Sequence, residues 1–180
     1  MIRVIVAAAK RARVKMGIGG GIAVAAHGYR RDTVDVDAFF HYEDRQKVVR
    51  ALRQVASSYE IEPITNDHWI AVPPGAEPDE RIDLMFATGD PEESAIEMAK
   101  VKKCRGVNAP VFSVVWLVVA KFLADRNSPI DWADIYTLYQ RGAYDVSDVV
   151  KRLKQMGHKT DAANFPGFLK RIENLKSGDK

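Results

Sequence analysis

The chain has 180 residues, 47% hydrophobic and 28% charged, and its 27 basic and 24 acidic side chains leave a net charge of +3. That balance is globular and excludes a low-hydrophobicity disordered chain, while so small a charge permits an anionic partner such as a nucleotide or RNA without requiring one. The single Cys104 excludes an internal disulfide, and with only four scattered histidines no zinc cluster is expected; a reducing cytoplasm is the natural setting.

Residues 2–12 pattern as a helix, with an alanine-rich face opposite Arg and Lys. The apolar run at this N-terminus is too short for a signal peptide and is followed by charges. Residues 14–18 read as a strand ended by Gly19-Gly20-Gly21, and residues 22–27 as a short apolar helix stopped at Gly28. Residues 33–40 alternate, with Val34, Val36 and Ala38 on one face and Asp35 and Asp37 on the other. A helix is expected over 43–57. A hairpin follows, with strands 61–65 and 69–72 around Asn66-Asp67, and Pro63 places the first at a sheet edge. Residues 81–86 form another alternating strand carrying Asp83 on its polar face.

Beyond residue 90 the pattern is read as helical throughout. Asp90-Pro91-Glu92-Glu93 opens a helix to about Lys100, Ser113 caps one over 114–124, and Ser128-Pro129-Ile130-Asp131 is a capping box for a helix to about Gln140. Two more are expected at 145–156 and 160–176, separated by Gly157. The longest apolar stretch, 111–124, falls short of the ~18 residues a bilayer span requires and contains Lys121, so no membrane partner is expected. The chain thus divides into an α/β core, 1–90, and a helical subdomain, 91–180.

Asp35 and Asp37 on one strand and Asp83 on a second give three carboxylates that converge if those strands are neighbours. Two or three carboxylates plus a triphosphate make a complete site for Mg²⁺, which prefers oxygen ligands. The bland alternative is three solvent-facing strand positions. Against it, strands disfavour Asp, and like charges on one strand face repel. Gly20 and Gly21, between a strand and a helix, stand where backbone N–H groups can approach a phosphate. By themselves they are equally a flexible turn, since neither a Walker A loop nor a dinucleotide fingerprint follows.

These residues together resemble the nucleotidyltransferase superfamily and, within it, the AbiEii-type abortive-infection toxin branch. The branch's opening motif, Gly-Gly-x-Ala-x-x-x-His-Gly-x-x-Arg-x-Thr-x-Asp-hydrophobic-Asp, is matched without a gap by Gly20, Gly21, Ala23, His27, Gly28, Arg31, Thr33, Asp35 and Asp37. Arg81-Ile82-Asp83 matches the later strand, and Lys121-Phe122-Leu123-Ala124 and Asp131-Trp132-Ala133-Asp134-Ile135 match the downstream helices. Ile130 departs from the pattern, where relatives often carry a basic residue, and Asp131 doubles as a member of the Ser128 capping box.

The resemblance implies a nucleotidyltransferase fold, a mixed sheet flanked by helices and followed by a helical half. It also implies a site of two Mg²⁺ ions, with Mn²⁺ as a substitute. Asp35, Asp37 and Asp83 would be the metal ligands and, with Lys121, the catalytic set. Gly20, Gly21, Arg31, Thr33, Lys121 and Asp134 would bind the nucleotide. The implied reaction moves a nucleoside monophosphate from an NTP to a hydroxyl of an RNA, such as a tRNA 3′ end, or of a protein. The implied role is a toxin with a cognate antitoxin; a small-molecule antibiotic acceptor and a non-catalytic binding module are the alternatives. The intact trio of aspartates argues against the module.

Other residues admit plainer readings. Lys121, among apolar neighbours, is either a snorkelling lysine or a phosphate contact. His27 reads as a capping or core histidine rather than a base. Arg30 and Arg31 read as solvated charges or as counter-charges to the aspartates. The aromatic residues of the second half read as packing, and its basic helix as a solvated face or an RNA contact.

Overall fold

The computed structural model describes residues 1–29, 32–124 and 128–177. The chain forms two compact units, Met1–Ser113 and Val114–Lys180.

The first unit is built on seven strands: β1 (Gly17–Ile18), β2 (Val36–His41), β3 (Glu60–Pro63), β4 (His68–Val72), β5 (Ile82–Ala87), β6 (Lys100–Cys104) and β7 (Val107–Val111). They form one sheet in the order β3-β4-β5-β2-β1-β7-β6. It is a mixed sheet: β2 runs parallel to β5 and β1 to β7, and the remaining neighbours are antiparallel. Pro63 lies on the edge strand β3, where its missing N–H costs no ladder bond.

Alternation in the central strands makes two unlike faces. Val36, Ala38 and Phe40 of β2 and Ile82, Leu84 and Phe86 of β5 are all buried. Each large member contributes roughly 1.5–3 kcal/mol by leaving water. Helix α1 (Ile2–Ala12) buries Ile2, Ile5, Val6 and Ala9 at i, i+3, i+4, i+7 spacing. It packs against α3 (Arg45–Val55), which buries Val48, Val49 and Leu52. Helices α2 (Gly20–Ala26) and α4 (Glu92–Glu97) lie against β2.

Four expectations are corrected. The strand expected over 14–18 is only Gly17–Ile18, and α2 begins at Gly20 rather than residue 22. The helix expected to run to Lys100 ends at Glu97, and residues 100–111 are the antiparallel hairpin β6–β7 rather than part of a helical half. Arg105 (φ 46°) and Gly106 (φ 82°) make its two-residue turn, with both central residues left-handed as such a turn demands. Because β7 pairs with β1, the first unit's sheet extends well past residue 90.

The second unit is helical: α5 (Val114–Leu123), α6 (Pro129–Gln140), α7 (Val146–Gln155) and α8 (Lys159–Ser177). Phe122 packs its ring 5.0 Å from both Phe165 and Phe168, so the aromatic residues form core. Ser128 caps α6, its Oγ accepting from the Asp131 N–H at 3.3 Å. Among the described residues, no helix is long and apolar enough to cross a membrane.

Candidate functional site

The parallel pairing of β2 with β5 aligns Val36 with Ile82 and Asp37 with Asp83. The Val36 N–H donates to the Arg81 carbonyl at 3.0 Å and extends the ladder by one step. Asp35, two residues before Asp37, projects to the same side. One carboxylate oxygen from each of Asp35, Asp37 and Asp83 consequently lies within 4.8 Å of the other two. Asp83 is buried, and the other two are half-buried.

Three carboxylates this close repel, and the neighbours of two of them offset part of that repulsion. Asp83, its side chain 8% exposed, is held by Arg81 Nε at 3.1 and 3.2 Å and by His68 Nε2 at 2.7 Å. Asp35 accepts from the Thr33 hydroxyl, and the Thr33 carbonyl accepts from the Arg105 guanidinium. An all-oxygen, partly buried donor set of this kind fits a hard divalent cation such as Mg²⁺ or Mn²⁺.

The glycine turn is built against the same group. The Gly19 N–H donates to the Asp37 carbonyl at 3.0 Å. Gly20 opens α2 with φ +52°, and a Cβ there would overlap the Asp37 carboxylate. Only glycine combines that backbone angle with that approach. Gly21 is buried in the first turn of α2.

His27 ends α2, with its Nε2–H donating to the Phe112 carbonyl at 2.8 Å. Burial pushes its pKa down and favours the neutral ring, and the carbonyl acceptor makes Nε2 the protonated nitrogen. The ring ties α2 to the end of β7 and is not one of the clustered acids.

Lys121 and Asp134 belong to the second unit. Lys121 pairs there with Asp131 and, at 3.0 Å, with Asp134, whose side chain is 1% exposed. The Asp131 carboxylate is thus engaged by a lysine while its N–H completes the Ser128 cap. Arg31 lies outside the described residues.

Sequence reasoning missed His68 and Arg105. His68 stands beside the turn of the β3–β4 hairpin and Arg105 at the β6–β7 turn, and each reaches the site only through cross-strand pairing that no local pattern encodes.

No protein-family model and no curated protein matches the sequence. Solved structures do resemble it. The antibiotic-resistance factor ANT(2'')-Ia matches at 22% identity with a TM-score of 0.58, over 98% of this chain and 95% of that one. An antigenic nucleotidyltransferase-like protein from Paracoccidioides brasiliensis matches at 17% identity and a TM-score of 0.57, over 98% and 89% of the two chains. The lincosamide antibiotic adenylyltransferase LnuA, bound to lincomycin, matches at 16% identity and a TM-score of 0.52, over 77% of this chain and 94% of that one. This likeness gives the fold: a nucleotidyltransferase fold with a mixed sheet flanked by helices and a helical C-terminal part.

Proposed function

We propose that the protein is a metal-dependent nucleotidyltransferase that moves a nucleoside monophosphate from an NTP to a hydroxyl acceptor. The observation that carries this reading is the convergence of Asp35, Asp37 and Asp83 beside the Gly20 turn. The shared fold of ANT(2'')-Ia and LnuA supports it.

In this reading the three carboxylates hold one or two Mg²⁺ ions. When bound, the metal neutralises triphosphate charge and favours departure of pyrophosphate. Asp83, anchored by Arg81 and His68, faces the acceptor hydroxyl. The N–H groups of the Gly20–Gly21 turn receive phosphate oxygens, and Thr33 fixes Asp35. Arg31, Lys121 and Asp134 are assigned to nucleotide binding on the motif resemblance alone.

Two acceptor classes each have an observation behind them. The ungapped opening motif from Gly20 to Asp37 supports the AbiEii-type branch, with an RNA or protein acceptor and a cognate antitoxin. The structural neighbours named above support a small antibiotic acceptor.

The deciding experiment supplies Mg²⁺ and each labelled NTP together with an RNA fraction, a protein fraction and a panel of aminoglycosides and lincosamides. Label in one fraction that disappears with Asp35→Ala names the acceptor class. Label that persists in Asp35→Ala, or failure of the wild type to bind any NTP with Mg²⁺, removes the nucleotidyltransferase reading.

A further inference from the structure

The sheet has a second candidate site, on the face away from the carboxylates. In the β4–β5 register Ile70 is paired with Asp83 and Trp69 with Leu84, so Trp69 projects to the opposite side from Asp83. There α3 and β4 border a cavity of about 450 Å³, lined by Arg45, Arg50, Arg53, Gln46, Gln54 and Trp69, with Val49 beside them.

Its lining carries three guanidinium groups and no carboxylate. Arg45 is already held by the Tyr42 hydroxyl at 3.0 Å and by the Asn66 carbonyl. Among the described residues, Arg50 and Arg53 have no ion-pair partner. Arg11 adds a further cation at the rim, its Nε donating to Gln54 Oε1 at 2.5 Å. The Trp69 indole N–H is buried and has no acceptor among the described residues.

We propose that this cavity binds a phosphate-bearing ligand of nucleotide size, at a site separate from the carboxylate cluster. Guanidinium groups pair best with phosphate or carboxylate oxygens, and several of them spread over two helical turns suit a ligand with phosphate charge. The flat indole and Val49 offer an apolar surface for a heterocycle, and the two glutamine carboxamides can meet its polar edge. The volume falls within the ~300–1,000 Å³ of small-molecule sites. A free nucleotide and a nucleotide unit of a single-stranded RNA present this same chemistry.

The test follows the indole N–H resonances of the full-length ¹⁵N-labelled protein, with Trp69 assigned by Trp69→Phe. AMP and a single-stranded RNA tetranucleotide are each titrated in EDTA, which keeps metal-dependent binding at the carboxylates out of the measurement. The Trp69 resonance is expected to move saturably while those of Trp116 and Trp132 stay in place. The double variant Arg50→Gln/Arg53→Gln, which changes two exposed side chains, is expected to weaken that binding at least about tenfold. Movement with AMP identifies a free-nucleotide site, and movement with RNA alone identifies a polymer contact. A Trp69 resonance unmoved by either probe up to about 5 mM, or equal affinity in the double variant, overturns the proposal. Neither result depends on nucleotide transfer at Asp35, so this proposal and the proposed function fail separately.

Discussion

Gly20 and Asp37 are packed so closely that a methyl group on the first would take the place of a carboxylate oxygen of the second. The contact couples the start of α2 to the middle of the carboxylate cluster. Asp37 is a short side chain, so it yields before the backbone does. In Gly20→Ala the left-handed backbone angle is expected to cost about 1–2 kcal/mol of stability. The displacement of Asp37 is expected to remove most metal-dependent thermal stabilisation. Gly28 is the comparison: its φ is +97°, with open space around it. Gly28→Ala is expected to lower stability while Mg²⁺ still raises the melting temperature. Melting curves with and without Mg²⁺ separate the two.

The three carboxylates are not equivalent. Asp35 has a neutral partner, Thr33, whereas Asp83 is held by Arg81 and His68. In EDTA, Asp35→Asn relieves repulsion and is expected to raise stability by about 0.5–1 kcal/mol, since the new amide oxygen still accepts from Thr33. Asp83→Asn strips Arg81 of its counter-charge and His68 of its carboxylate partner, and is expected to lower stability by about 1–3 kcal/mol. Urea unfolding in EDTA reads both signs, and a destabilised Asp35→Asn counts against the repulsion.

In the second unit Lys121 and Asp134 form a buried pair. Lys121→Met leaves Asp134 without that cation and is expected to cost about 3 kcal/mol or more. Adding Asp134→Leu is expected to recover part of the loss, because it removes the most deeply buried charge, while the more exposed Asp131 still lacks its lysine. Denaturant midpoints of the single and double variants measure the coupling.

His27 makes stability depend on pH. Its folded pKa lies below the ordinary value of 6.5 because burial disfavours the cation. Below pH 6.5 the unfolded chain therefore binds a proton that the folded ring resists, and stability falls as pH drops toward the folded pKa. The slope this one site adds is at most about 1.4 kcal/mol per pH unit. His27→Asn is expected to show a shallower decline between pH 7 and 5 in unfolding free energy. A decline as steep as that of the wild type assigns the effect to other groups.

The features readable from the sequence were those written in local periodicity. Alternation located the strands of Asp37 and Asp83 and separated polar from apolar faces, and Asn66-Asp67 marked a hairpin. The β6–β7 hairpin was missed because Lys100-Val101-Lys102-Lys103 shows no clear apolar face and the turn is Arg105-Gly106, lacking the usual Asn or Asp before glycine. The ungapped run from Gly20 to Asp37 carried the family resemblance, because those residues are contiguous in the chain.

The sequence by itself determined which side chains are the candidates for the proposed chemistry: three aspartates on the polar faces of strands and a glycine pair between a strand and a short helix. Only the tertiary structure decided that β5 is the parallel neighbour of β2, and therefore that Asp83 meets Asp37. It also decided that His68 and Arg81 hold Asp83, and that Trp69 faces a basic cavity on the other side of the sheet. Local pattern fixes a residue's face with a period of two, but strand order and register arise from burying the whole sheet at once, and no short segment encodes them.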